Sequence, residues 1–153
     1  MKKISNQAIE KFWTEKEIEA GEKIKGKTIA EFIDGYRDFS GPILGLLFYT
    51  ENALHFQTFP KENWFFSLVK PGVSQNHQKL LNFNILWVNV IEVDLPPKRN
   101  KFIELFLPQS YRIFIDYQQN KNKAKLVMNL QHQKDQNKLI EFYKKIRFSG
   151  KGV

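Results

Sequence analysis

Residues 45–56 read GLLFYTENALHF, which is two apolar runs separated by the four residues at positions 50–53. Both runs are rich in aromatic and branched side chains, which favour β-strands. The chain must reverse its direction between them, and the reversal must face water. We therefore predict a hairpin with its turn centred on Glu51 and Asn52. Asn52 suits a positive φ in that turn, because asparagine tolerates this conformation.

Alternation of apolar and polar residues recurs along the chain and marks further strands. Turn-forming residues such as Pro96, Pro97 and Pro108 separate these segments, because proline cannot donate to a strand ladder. Five such segments and the two strands of the hairpin make seven predicted strands, and residues 60–82 have room for a short eighth. The additional predicted strands are residues 23–33, 84–95, 102–107, 111–118 and 124–131.

Helical spacing is found at both ends of the chain. Ile9, Phe12 and Trp13 fall at i, i+3 and i+4, which predicts a helix over residues 5–20. One apolar stripe runs through residues 135–148 and predicts a second helix. The stripe consists of Leu139, Phe142, Tyr143 and Ile146.

Together these elements predict a mainly β (α+β) protein. A long antiparallel sheet curls or closes to protect its edges, and a helix with one apolar stripe suits the open end of such a sheet. We therefore predict a small antiparallel β-barrel of seven or eight strands, capped by the C-terminal amphipathic helix. The N-terminal helical extension covers residues 1–22, and the barrel domain with its helix covers residues 23–153.

The residue types present exclude several kinds of chemistry. The chain has no cysteine, so disulfides, thiolate metal sites and cysteine nucleophiles are excluded. His55, His77 and His132 are far apart, whereas a zinc site favours closely spaced ligands. No catalytic motif is present, so we expect a non-enzymatic protein without metal or cofactor. Neither a signal-like nor a membrane-spanning apolar run is present, which predicts a soluble, cytoplasmic protein.

Positive charge is concentrated in the last third of the chain. Residues 1–95 hold 11 Lys or Arg against 12 Asp or Glu, and residues 96–153 hold 13 against 4. Such asymmetry indicates an anionic partner, although lysines also serve solubility alone. The candidate binding residues lie in two basic turns. They are Lys98, Arg99 and Lys101 in the first turn and Lys121, Lys123 and Lys125 in the second.

The hairpin also carries a family resemblance. It contains the pattern Gly-x-Leu-x-x-Thr-x-x-x-Leu-x-Phe, which is common in the second and third strands of one family. The later segment WVNVIEV is similar to the fourth strand of that family. In these segments, and in the position of its C-terminal helix, the chain resembles the pleckstrin-homology-like (PH-like) superfamily, and within it the GRAM and bacterial PH-like branch. The matching hairpin residues are Gly45, Leu47, Thr50, Leu54 and Phe56.

The first loop departs from the phosphoinositide-binding members of that family, which cluster Lys and Arg there. Arg37 is flanked by Asp34 and Asp38, and Ala53 stands where the family has a basic residue. We therefore do not expect high-affinity phosphoinositide binding of the usual mode. The resemblance implies a non-catalytic PH-like binding module that engages a protein partner or an anionic membrane surface, peripherally at the membrane. The alternative is a nucleic-acid-binding protein that uses its basic loops.

Overall fold

The structure is a computed structural model that describes residues 6–58, 80–96 and 111–148. A helix, α1, precedes seven strands, and a second helix, α2, follows them. The helices are α1 (Asn6–Ala20) and α2 (Gln133–Phe148). The strands are β1 (Gly26–Asp34), β2 (Ile43–Tyr49), β3 (Ala53–Thr58), β4 (Asn82–Leu86), β5 (Val90–Asp94), β6 (Tyr111–Gln119) and β7 (Asn122–Leu130).

The described strands form one sheet in the order β4-β3-β2-β1-β7-β6-β5. Every neighbouring pair is antiparallel. The prediction of a mainly β, antiparallel protein with a helix at each end is confirmed. The strand predicted at residues 102–107 lies outside the described residues, as does most of the 60–82 segment proposed for an eighth strand. β4 and β5 are the two edges of the sheet, and among the described residues no ladder joins one edge to the other.

The predicted hairpin is present, but its turn is held differently from our expectation. Thr50 is fully buried, and its hydroxyl accepts a hydrogen bond from the backbone N–H of Ala53 at 3.2 Å. Asn52 does not use a positive φ, since the non-glycine residues with positive φ in the described part of the chain are Arg37 and Asn120. Its side-chain amide donates instead to the carboxylate of Glu22.

The prediction of one continuous strand over residues 84–95 is wrong. A 3-10 turn at Trp87–Asn89, the crossing turn, separates β4 from β5. In a flat sheet of seven strands the two edges would lie about 29 Å apart, at about 4.8 Å per strand. Leu86 and Val90 are four residues apart and are separated by at most about 15 Å. The sheet is therefore strongly curved, so that these two strand ends come near each other.

The concave side of the sheet holds the main core, which α2 closes. The stripe predicted for this helix is confirmed: Leu139 and Tyr143 are buried, and Phe142 and Ile146 pack against the same core. Two hydrogen bonds attach the first turns of α2 to the sheet. The hydroxyl of Thr28 donates to Asp135 at 2.8 Å, and the side-chain amide of Gln136 donates to the carbonyl of Arg112 at 2.7 Å.

Helix α1 covers the opposite, convex face of β1 and β2. Phe12 is buried against Leu46, and Trp13 packs edge-on to Phe48 with ring centroids 5.8 Å apart. The ammonium of Lys27 lies 4.6 Å from the centre of the Trp13 ring. Strand β2 is therefore covered on both faces, which explains why its sequence is a continuous apolar run instead of an alternating one.

Candidate functional site

A cleft of about 350 Å³ opens beside the crossing turn. The β1–β2 loop, β4, the crossing turn and the end of β6 line it, so it lies where the two edges of the sheet approach each other. Half of the ten described residues that line it carry a neutral carboxamide, and we call it the amide cleft. These five residues are Asn84, Asn89, Gln118, Gln119 and Asn120.

The β1–β2 loop is fastened to both walls of the amide cleft. The hydroxyl of Tyr117 donates to the carbonyl of Gly35 at 2.6 Å. Burial raises the pKa of Tyr117, and the neighbouring Tyr36 acts in the same direction, so this hydroxyl keeps its proton. On the other wall, the ring of Tyr36 stacks on that of Phe83, with centroids 4.2 Å apart and planes 15° from parallel.

These attachments place Arg37 at the amide cleft. Gly35 has φ +103°, and a Cβ atom there would meet the backbone carbonyl of Lys125, so only glycine fits this approach. Arg37 follows in the left-handed region with φ 50°. Its guanidinium lies 5.2 Å from the centre of the Tyr36 ring. Among the described residues that line the cleft, Arg37 is the only charged one.

The second predicted basic turn lies at the same end of the sheet. Lys121 follows Asn120 in the β6–β7 turn, and Lys123 is directly opposite Gln118 in the β6–β7 ladder. Both lysines are exposed. Lys125, the third residue of the predicted group, lies 3.8 Å from the carboxylate of Asp116 and 5.8 Å above the ring of Phe114. The first predicted turn, Lys98, Arg99 and Lys101, lies outside the described residues.

Arg37, Lys121 and Lys123 form what we call the basic rim. Within residues 6–58, 80–96 and 111–148, the salt bridges involve other cations, and none of the three rim cations has a carboxylate partner. An unpaired cation keeps its charge available to an incoming anion, whereas a paired one must first exchange its partner. Of the predicted residues that the structure describes, Lys121 and Lys123 have no carboxylate partner, and Arg37 joins them although the sequence analysis did not select it.

The carboxamides of the cleft were missed by the sequence analysis. Gln118, Gln119 and Asn120 look like an ordinary polar hairpin end, and in one continuous strand Asn84 and Asn89 would lie on opposite faces. Only the curvature of the sheet brings the two groups together.

The described residues contain no group of three or more His, Asp or Glu that could hold a metal ion. Neither α1 nor α2 is long and apolar enough to cross a bilayer.

The fold has a counterpart among solved structures. The crystal structure of the C-terminal domain of an unknown protein from Leishmania infantum superposes with a TM-score of 0.52 and 16% sequence identity. The match covers 88% of this chain and 97% of that one. No protein-family model matches the sequence, and no curated protein matches it either. At such low identity the structural likeness is one of fold alone.

Proposed function

We propose that the protein is a non-catalytic, PH-like binding module that attaches peripherally to an anionic membrane surface. The observation that carries this proposal is the basic rim. Arg37 lines the amide cleft, Lys121 follows the lining residue Asn120, and Lys123 pairs with the lining residue Gln118. None of the three has a carboxylate partner among the described residues. Clustered, unpaired cations of this kind attract anionic lipid headgroups.

The expected strength of this attachment follows from the number of charges. A cationic side chain near an anionic bilayer contributes about 1 kcal/mol, so the rim alone supports weak, reversible binding. Screening acts within about 8 Å at physiological ionic strength, so the binding is sensitive to salt. A protein of this kind resides in the cytoplasm and visits the inner membrane surface.

A closed β-barrel of the PH-like type is part of the proposal. The hairpin pattern around Thr50 supports it, as does the succession of seven antiparallel strands and a C-terminal helix. The crossing turn adds support, because it holds one end of β4 near one end of β5. We propose that these two edges complete a barrel with α2 as its cap.

Co-sedimentation with vesicles tests the function. The chain should bind phosphatidylserine-containing vesicles at low salt, and phosphatidylcholine vesicles much less. Replacing Lys121 and Lys123 together with Glu should weaken binding at least about tenfold, since each lysine contributes about 1 kcal/mol. The matched control reverses Lys134 and Lys138, which are exposed on α2 and do not belong to the basic rim. Equal losses from both pairs would reduce the effect to net charge and contradict a role for the rim.

Single-stranded nucleic acid belongs in the same experiment. Its binders stack bases on exposed aromatic rings. Among the aromatic side chains that the structure describes, Phe148 alone is largely exposed, at 83%, which favours the membrane over nucleic acid. Tighter binding to an oligonucleotide than to vesicles would reverse that preference. If neither polyanion binds at low salt, a protein partner becomes the better proposal, with Leu86 and Val88 as exposed apolar contacts.

A further inference from the structure

We infer that the amide cleft is a binding site for a neutral, polyhydroxylated ring, that is, for a saccharide. This inference goes beyond membrane attachment, because it concerns the inside of the cleft and not the charges around it. Five neutral carboxamides converge there from β4, the crossing turn and the end of β6. A saccharide ligand accounts for so many carboxamides in one cleft.

The carboxamides match the hydroxyl groups of a saccharide in both hydrogen-bonding directions. Each Asn or Gln side chain offers two N–H donors and one carbonyl acceptor. Each sugar hydroxyl likewise donates one hydrogen bond and accepts others, so a row of neighbouring hydroxyls finds partners without any charge on either side. Neither a cation nor a phosphate finds this match, because the lining residues that the structure describes include no carboxylate and a single guanidinium, that of Arg37.

The size and walls of the cleft also suit such a ligand. Its volume of about 350 Å³ is at the lower end of the range for small-molecule sites, about 300–1,000 Å³. Leu86 lines the cleft with its side chain 46% exposed, and it offers an apolar contact for the C–H face of a sugar ring. The polar and apolar faces of the cleft thus correspond to the two kinds of surface on a pyranose.

Parts of the wall are already fixed before any ligand enters. The Tyr117 hydroxyl holds the β1–β2 loop at Gly35, and the side-chain amide of Gln118 donates to the carbonyl of Asn120 at 3.3 Å. That bond uses one of the two Gln118 donors and leaves the other donor and the acceptor for a ligand. A wall fixed in this way lowers the entropy that binding costs.

Titration of the isotope-labelled full-length chain, followed by NMR, tests the inference. The probes are D-glucose, D-galactose, D-mannose and N-acetylglucosamine, with inorganic phosphate as the charged control. At least one sugar should give saturable shifts at millimolar concentration, confined to Asn84, Asn89 and residues 117–120. Phosphate should shift Arg37 and the lysines of the rim without saturating the carboxamide signals.

Replacing Asn84 and Asn89 together with Ala should weaken sugar binding about tenfold, because two hydrogen-bonding side chains are lost. The matched control is Asn137→Ala, an exposed amide on α2 outside the cleft, which should bind sugar as the parent chain does. An unchanged thermal melting curve for the double variant shows that its fold is intact. Absence of a saturable shift with every sugar, or equal affinity of the double variant and the parent chain, overturns the inference.

Binding to vesicles distinguishes a glycolipid headgroup from a soluble saccharide as the source of the ring. Phosphatidylcholine vesicles that contain a neutral monoglycosyl diacylglycerol carry no net charge, so the basic rim does not drive binding to them. Binding to these vesicles that free sugar displaces identifies a glycolipid headgroup, and binding of free sugar alone identifies a soluble saccharide. Both outcomes support the site. Sugar binding without binding to anionic vesicles would support this inference and refute membrane attachment. Binding to anionic vesicles without sugar binding would support membrane attachment and refute this inference.

Discussion

The indole N–H of Trp87 donates a hydrogen bond of 2.9 Å to the backbone carbonyl of Thr50, 37 positions earlier in the chain. The backbone N–H of Trp87 donates to the carbonyl of Asn52, also at 2.9 Å. The Trp87 ring packs against Tyr143 of α2, with centroids 6.0 Å apart. One residue therefore connects the β2–β3 turn, the crossing turn and helix α2.

Replacing Trp87 with Phe should destabilise the protein. The ring remains aromatic, but the carbonyl of Thr50 loses its indole donor in a buried setting, which costs about 1–3 kcal/mol. Urea denaturation measures the change in the free energy of unfolding. Val88→Ala serves as the control, since Val88 is 60% exposed and its truncation should change stability by less than about 0.5 kcal/mol. A Trp87→Phe variant as stable as the control would show that the indole bond contributes nothing.

Truncation of Leu139 should reveal how much the packing of α2 contributes to stability. Leu139 is only 1% exposed and packs into the main core. Leu139→Ala should therefore cost about 2–5 kcal/mol in the free energy of unfolding. Lys138→Ala, next to it on the exposed side of the helix, should be nearly neutral. If Leu139→Ala costs less than about 1 kcal/mol, α2 is not part of the cooperative core.

Asn52 separates two explanations of the β2–β3 turn. Because its φ is not positive, glycine brings no relief there, and the loss of the bond to Glu22 should dominate. Asn52→Ala should cost about 0.5–1.5 kcal/mol. Asn52→Gly should cost about 0.4–1 kcal/mol more, because glycine increases the entropy of the unfolded chain. If denaturation experiments instead show Asn52→Gly to be more stable than Asn52→Ala, the turn has a positive φ at Asn52.

Tyr49 should make the protein sensitive to alkaline pH. Burial, with the negative charge of Asp135 adding to it, raises the pKa of Tyr49 to about 12, against about 10 in an unfolded chain. The native state therefore keeps the proton that the unfolded state loses in this interval. The associated stability is fully present below about pH 10 and is lost as the pH rises towards about 12.

Measuring the free energy of unfolding across this range, for the parent chain and for Tyr49→Phe, tests the effect. The variant should show a shallower loss of stability than the parent chain. Identical slopes would mean that Tyr49 titrates normally in the native state.

Sequence periodicity was enough to locate elements whose environment is set locally. In β6, Ile113, Ile115 and Tyr117 are buried at every second position, as the alternation predicts. The stripe of α2 was equally readable, because a helix buries residues at fixed intervals. Both patterns depend only on which side of one element faces the core.

The crossing turn could not be found in the same way. Trp87, Val88 and Asn89 continue the strand alternation of the residues around them, and nothing in their local pattern indicates a 3-10 turn. What ends β4 there is a pair of hydrogen bonds to Thr50 and Asn52, which are distant in sequence. The amide cleft depends on the same long-range contacts, so it was missed together with the turn.

Because the crossing turn is short, a different part of the sheet should limit the rate of folding. Three residues bring β4 and β5 together, and closing so short a loop costs little entropy. The pairing with the largest entropy cost is in the middle of the sheet, where Ala30 of β1 pairs with Leu130 of β7, 100 positions further along the chain. Pairings between such distant segments form slowly. We therefore expect substitutions in the β1–β7 ladder to slow folding, and substitutions at the crossing turn to act mainly by accelerating unfolding.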